Sequence, residues 1–298
     1  GVTGAASAYS LAKSGQHDIL LLERNTPVNG ATAKAATLVS VARPYAPVIP
    51  FVRDTIRQIH DLSGGAPDVL GYYQVGSIHA AATENGNGSL DNTYKVSYEN
   101  GVAGEAITPR QVRDEVPWLA EDSIAKAYHY AEDGFVDGYL LTMAYLNAAR
   151  HMGAEIVSGC EARTIVSGHE GGYVIETDTG EYYCKNVILA AGAWTNLLLE
   201  SLMLSLPFTP VRSQYWITGH DSGLFPARHP LCILPDARAY TRPENGSLIV
   251  GWREPRCVWL DPHGLPANRY SYRFSQESDG WDNLGGCVAS LAGHFPGL

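Results

Sequence analysis

Apolar residues along the chain change their spacing several times, and each change predicts an element. After Gly1 and Gly4, the residues Ala5, Ala8, Leu11 and Ala12 recur at helical spacing. His17-Asp18 then turns the chain into Ile19-Leu20-Leu21-Leu22, an apolar run of strand length that closes at Glu23. Residues 25–50 are rich in Pro, Gly and Ala and predict a loop. Phe51, Val52, Ile56, Ile59 and Leu62 share one face of an amphipathic helix over 51–62, on which His60 reads as a structural or surface histidine. Residues 71–82 have strand composition, and the Asn, Gly, Asp and Ser of 84–104 predict a surface hairpin or loop. Thr108 and Pro109 open a further helix, as N-cap and first-turn residue.

In the second half, residues 127–139 predict a strand followed by two Asp-Gly turns, and 140–152 a helix. Short strands follow at 154–157, 162–167 and 173–177, with a hairpin through Asp178-Thr179-Gly180 to 182–184. Residues 186–194 are almost wholly apolar and predict a buried parallel strand running into Ala190-Ala191-Gly192. A short apolar helix is expected at 196–204. Antiparallel strands at 210–218, 239–242 and 247–252 belong to a second, sheet-based domain, and 281–295 predicts a last helix.

Composition narrows the class. A length of 298 residues favours two domains, and no run approaches the ~20 apolar residues of a membrane span. With 21 basic and 31 acidic residues the net charge is −10, which argues against a nucleic-acid surface. Cys160, Cys184, Cys232, Cys257 and Cys287 are scattered and lack any C-x-x-C pair. Free thiols in a reducing compartment follow, the cytoplasm or, in a eukaryote, the mitochondrial matrix. The histidines lack ligand spacing, so no metal site is expected.

The first stretch carries the candidate chemistry. Gly1 and Gly4, with Val2 and Thr3 between them, match the second and third glycines of G-x-G-x-x-G, and Glu23 closes the next strand about 20 residues on, where a dinucleotide fold places the carboxylate for a ribose hydroxyl. A glycine lets the backbone approach a pyrophosphate, and a helix N-terminus offers free N–H groups and positive dipole. The alternative is an ordinary helix–strand pair with Gly4 as a packing residue. Small residues over 31–37 suit a backbone passing close to a flat group, or else form a flexible connection.

Taken in order, these segments resemble the FAD-dependent oxidoreductases of the D-amino-acid oxidase superfamily, in the glycine/sarcosine oxidase and dimethylglycine/sarcosine dehydrogenase branch. The resemblance rests on GVTGAASAYSLAKSG with LLLER, NGATAKAATLV, YYQVGSIHAAAT, DGFVDGYLLTMAYLNAARHMGAEI, VILAAGAWTNLL, PVRSQYWIT and YTRPENGSLIVGWREP. It implies an α/β fold: a discontinuous Rossmann-like FAD-binding domain over 1–50 and 127–204, and an α+β substrate domain with a mainly antiparallel sheet over 51–126 and 205–298. It also implies that Gly1, Val2, Thr3 and Gly4 meet the pyrophosphate and Glu23 the ribose, with Arg24 beside it. Ala31, Thr32, Ala33 and Lys34 would run past the flavin ring, Ala162 would address adenine, and Ala191, Gly192 and Trp194 would form a second crossing near the nucleotide. The implied reaction is oxidation of the C–N bond of a small amine or amino acid, with oxygen or an electron-transfer protein as acceptor. Tyr215 and Tyr240, with Trp252 as an apolar wall, are the candidate substrate contacts, or else ordinary core aromatics. Asp133 and Asp137 read as turn residues, Arg43 and Arg212 as carboxylate partners, and no catalytic acid–base pair emerges.

The chain departs from the family pattern in three places. Lys34 stands where the dehydrogenases' W-H-A-A-G carries the histidine that tethers FAD, so non-covalent FAD is expected. Lys34 then either stabilises reduced flavin or is simply exposed. Thr37 and Ser40 stand where monomeric sarcosine oxidases carry arginines. A strand before Gly1 and a closing segment after Leu298 are both expected from the family, which reads as a fragment truncated at both ends, poor at holding FAD and unstable alone. A non-catalytic regulatory or interaction subunit of the same family is the alternative function.

Overall fold

The computed structural model describes residues 1–168, 171–256, 258–265 and 278–296; Cys257 lies outside them. In chain order the helices are α1 (Val2–Lys13), α2 (Ile49–Leu62), α3 (Glu84–Glu99), α4 (Pro109–Glu115), α5 (Gly138–His151), α6 (Thr195–Glu200) and α7 (Ser278–Leu291). The strands are β1 (Leu20–Glu23), β2 (Leu38–Val39), β3 (Ser77–Ala81), β4 (Glu105–Ile107), β5 (Lys126–Tyr130), β6 (Gly134–Phe135) and β7 (Glu155–Ser158). They continue as β8 (Ala162–Ser167), β9 (Tyr173–Thr177), β10 (Glu181–Cys184), β11 (Tyr215–Ile217), β12 (Leu231–Leu234), β13 (Ala239–Glu244) and β14 (Ser247–Trp252). No described helix is long and apolar enough to cross a membrane.

Two compact units result. The first holds Gly1–Ala35, Asp137–Arg212 and the described part of Cys257–Arg273; the second holds Ala36–Val136, Ser213–Arg256 and the described part of Phe274–Leu298. The divisions therefore fall after Ala35, Val136 and Arg212, instead of after residues 50, 126 and 204. The reason is local pairing: β2 joins β6 through Leu38↔Phe135 and Val39↔Gly134, which draws residues 36–50 and 127–136 into the second unit.

In the first unit, α1 buries Ala5, Ala8, Tyr9 and Ala12 at three- and four-residue spacing and packs on α5, where the Tyr9 and Tyr145 rings lie 5.4 Å apart. It ends at Ser14, and Gly15 takes the left-handed conformation that follows many helices. Asp18, also left-handed at φ 58°, turns the chain into β1, which pairs parallel with β7 through Leu20↔Glu155 to Glu23↔Ser158. Asp137 is more than a turn residue. Its carboxylate accepts from the Tyr139 and Leu140 amides and caps α5. Strands β8, β9 and β10 form a separate antiparallel sheet.

The second unit is built on a seven-stranded sheet of order β11-β14-β13-β12-β3-β5-β4, antiparallel except where β12 meets β3. Asn245 and Gly246, both at positive φ, close the two-residue hairpin between β13 and β14. Along these strands the side chains alternate. Leu248, Val250 and Trp252 of β14, Ala239 of β13, Cys232 and Leu234 of β12, and Ile78 and Ala80 of β3 face one core, to which Val112 of α4 and Cys287 and Leu291 of α7 contribute.

Three elements differ from expectation. Residues 84–104 contain a helix, α3: Thr83 caps it by accepting from the Gly86 amide, and Leu90, Thr93 and Ser97 are buried at helical spacing. The Asn and Gly content hid that periodicity. Residues 186–191 enter no ladder among the described residues, because strand structure needs a paired neighbour and β1 and β7 pair only with each other. Of 210–218 only Tyr215–Ile217 is strand, and Val211 makes an isolated bridge to Trp259.

Asp133, which reads as a turn residue in the sequence, is completely buried. Its carboxylate accepts from Ser40 Oγ at 2.6 Å, Ser77 Oγ at 2.7 Å, the Val41 amide at 2.6 Å and the Ala42 amide at 3.3 Å. Burial raises its pKa against the pull of these four donors. Asp133→Ala leaves the Ser40 and Ser77 hydroxyls and the Val41 and Ala42 amides without their shared acceptor, and the expected loss is about 3 kcal/mol. Ser77→Ala, which removes one donor, should cost about 1 kcal/mol. Urea unfolding of the two variants checks this, and equal midpoints would contradict the assignment.

Candidate functional site

In the first unit, the N-terminus of α1 gathers several of the residues singled out by sequence. The helix has no side-chain cap, and the Val2 amide donates to Thr32 Oγ1 at 3.1 Å. Thr32 lies in the single turn Ala31–Lys34, which packs on α5, and Lys34 is exposed at its end. A Cβ on Gly1 would sit 2.9 Å from Thr32 Oγ1, whereas one on Gly4 would only touch Ala190 at 3.4 Å. The demand for glycine is thus sharper at Gly1 than at Gly4. Glu23 Oε2 lies 3.7 Å from the Gly1 nitrogen, and Oε1 accepts from the Asn25 amide at 3.0 Å.

This arrangement suits a dinucleotide. The amides of Thr3 and Gly4 lie in the first turn, where a helix has no acceptor of its own for them, and the dipole there favours phosphate. Glu23 is only partly exposed and converges on the same helix end, so anion-binding amides and a hydroxyl-binding carboxylate lie side by side. The residues present therefore fit the group that the resemblance implies.

A second cluster of the same unit joins Arg24 and Trp194. The Arg24 guanidinium lies 4.4 Å from the Trp194 ring centroid, and its Nη1 is 3.4 Å from Glu161 Oε1, next in sequence to Ala162. Trp194 ends a turn that begins at Gly192, which follows Ala191 and has φ +57°. Ala162 opens β8 beside an irregularity in its pairing with β9.

In the second unit the candidate substrate residues separate. Tyr215 and Tyr240 both stand opposite Gly251, one on each side of it, and share one sheet face. The Tyr240 ring lies over Gly251: a Cβ there would run into its Cε1, Cζ and Oη. Burial first, then Tyr215, push the Tyr240 phenol up, while the charges of Arg253 and Arg242 pull it partly back. Trp252 is a correction to the expected apolar wall. Strand alternation turns it to the opposite face, into the core beneath α7, where a Cβ on Gly286 would lie 2.7 Å from its ring.

Sequence reasoning missed Arg242, two residues beyond Tyr240 and on the same face. Its Nε donates to the Ala36 carbonyl at 2.7 Å, its Nη1 meets Glu244 Oε2 at 2.6 Å, and its guanidinium lies 4.9 Å from the Phe135 ring centroid. An arginine at an alternate position of an apolar strand was the available signal. On the same face, His79 is buried; desolvation, then the charge of Arg43, hold its pKa near 3. Its ring lies 4.8 Å from that of Tyr130. The imidazole is therefore held in its neutral form at neutral pH. Arg43 bonds the Ser40 carbonyl, and Arg212 is buried in the first unit.

Comparison with known proteins adds the following. A family model described as FAD dependent oxidoreductase (DAO) matches residues 1–292. The chain is 28% identical over 290 residues to mitochondrial dimethylglycine dehydrogenase of Rattus norvegicus, covering 94% of this chain and 33% of that protein. It is 24% identical over 302 residues to the mitochondrial pyruvate dehydrogenase phosphatase regulatory subunit of Mus musculus, covering 100% of this chain and 34% of that protein. The chain thus spans about a third of the length of these curated relatives. The crystal structure of L-proline dehydrogenase from P. horikoshii superposes with a TM-score of 0.83 at 19% identity, over 100% of this chain and 75% of that one, which shows a shared fold.

The Tyr240–Gly251 contact predicts strong coupling. Gly251→Ala should cost about 2 kcal/mol in the native protein, by overpacking, and much less in a Tyr240→Ala background. A double-mutant cycle by urea unfolding measures this, and additive costs would show that the ring does not occupy that space.

Proposed function

The chain belongs to the FAD dependent oxidoreductase (DAO) family, and from that premise we propose that it binds FAD non-covalently and oxidises the C–N bond of a small amine or amino acid, of sarcosine, dimethylglycine or glycine type. The observation that carries this reading is the convergence of the α1 N-terminus, Thr32 and the Glu23 carboxylate in the first unit. Gly1, Val2, Thr3 and Gly4 would hold the pyrophosphate, Glu23 the ribose, and Arg24 with Trp194 a flanking surface. Ala162 would address adenine, and Ala191 and Gly192 would lend backbone. Ala31, Thr32, Ala33 and Lys34 would line the ring.

FAD, when bound, would supply a two-electron acceptor for hydride from the C–H bond next to the substrate nitrogen, and water would hydrolyse the resulting imine or iminium to an amine and a carbonyl compound. The protein's own task is to bind and orient. Tyr240, whose raised pKa keeps it protonated at neutral pH, serves as a hydrogen-bond donor to a substrate acceptor and not as a base. Tyr215 shares that face. Arg242 is already neutralised by Glu244 and is not a free carboxylate anchor. Lys34 replaces the imidazole of covalent relatives with an ammonium, which has no lone pair for such a bond. Free Cys160, Cys184, Cys232 and Cys287 support a reducing compartment, cytoplasm or mitochondrial matrix. Oxygen or an electron-transfer protein would take the electrons onward.

The test uses the full-length protein loaded with FAD. Acid precipitation should release all the flavin into the supernatant; yellow colour retained in the pellet would refute non-covalent binding. Anaerobic addition of sarcosine, dimethylglycine or glycine should bleach the flavin band. The similarity to a phosphatase regulatory subunit gives the second reading its support, and flavin that binds yet is never reduced across an amine panel would favour it.

A further inference from the structure

We propose that Arg242 is a positioning residue for the cofactor segment: its bond to the Ala36 carbonyl sets the peptide plane through which residues 31–37 leave the proposed flavin ring. The inference rests on the FAD reading above. The Ala36 carbonyl belongs to the peptide unit that joins Ala36 to Thr37, so its direction bears on the φ of Thr37. That φ is +52°, in the left-handed region where a β-branched residue is an outlier. Such a conformation persists only when its surroundings impose it, and the contacts that impose it are visible. Arg242 Nε holds Ala36 O at 2.7 Å, Thr37 Oγ1 donates to the Val136 carbonyl, and the Val136 amide donates back to Thr37 O at 3.1 Å.

Arg242 is itself fixed. Glu244 Oε2 at 2.6 Å and the Pro243 carbonyl at 3.0 Å both meet Nη1, and the guanidinium lies over Phe135. Its side chain is only 12% exposed. A planar fork reaches the Ala36 carbonyl and the carboxylate at once, which the single ammonium of a lysine would not reproduce. At the other end of the segment Val28, a second β-branched residue, also has positive φ (65°) and is buried.

The variants are Arg242→Met and Arg242→Lys, each compared with the native chain by hydrogen exchange of the amides of residues 34–41 without FAD and by FAD titration followed through flavin fluorescence. Arg242→Met should speed exchange in that segment and weaken FAD binding about tenfold or more, with a shifted bound-flavin spectrum; Arg242→Lys should fall between. Native exchange and native affinity in Arg242→Met would overturn the proposal, and so would faster exchange with unchanged affinity and spectrum, the signature of a merely structural contact. If Arg242→Met fails to fold, Arg242→Lys decides on the same criteria. Full-length protein that binds no FAD would instead sink the functional reading, and exchange in the Arg242 variants would still decide whether the clamp exists.

Discussion

A buried carboxylate that must satisfy four donors is the constraint on which the second unit depends. Asp133 ties Ser40, Val41 and Ala42 to Ser77 at the start of β3, and its own carbonyl accepts from the Gly76 amide. These bonds, with the β2–β6 pairing, hold residues 36–50 against the sheet and explain why the division of the chain falls after Ala35. Removing a carboxylate from water is costly, so such a group persists only where its lone pairs are filled. Here the filling also organises the backbone that follows the small-residue segment.

Alternation then distributes chemistry across the sheet. On β13 and β14 the residues Ala239, Val250 and Trp252 face the core under α7, while Tyr240, Gly251 and Arg242 face the other way. The absence of a side chain at Gly251 creates the place where the Tyr240 ring rests, and Tyr215 completes the row from β11. The phenol that results is shielded and protonated, suited to donating a hydrogen bond. Arg242, on the same face, is occupied with Glu244 and with the backbone at Ala36.

The first unit carries the α1 N-terminus, where the Val2 amide is held by Thr32 Oγ1 and the helix itself offers the Thr3 and Gly4 amides no acceptor. A Cβ on Gly1 would press on the Thr32 hydroxyl at 2.9 Å, and the Glu23 carboxylate lies 3.7 Å from the Gly1 nitrogen; the proposed FAD site rests on these few residues. Thr32 touches the same helix end from a segment that begins after left-handed Val28. If this segment binds as proposed, its local strain is an expected cost of preorganisation, since backbone that is already placed loses less entropy when a ligand arrives.

Much of this was legible in one dimension, because local periodicity and cap residues act over a few residues. The helix after Gly1, the strand ending at Glu23, the Thr108 cap and the strands about Tyr240 and Trp252 all follow from spacing. Family membership was legible by resemblance, since seven motifs in order outweigh any one. Other features were decided only in three dimensions. Period two states that Tyr240 and Arg242 share a face and, with the hairpin register, that Trp252 faces the other way, but not which face meets α7. Polar composition concealed α3, whose buried stripe is made of Leu90, Thr93 and Ser97 and exists only once a sheet covers it. Asp133 read as a turn residue, because nothing local reveals donors 56 to 93 residues away. The clamp of Arg242 on Ala36 spans 206 residues. Sequence determined which elements form and which cofactor family they serve. Tertiary structure decided which polar groups are buried together, because that depends on pairings the local pattern does not encode.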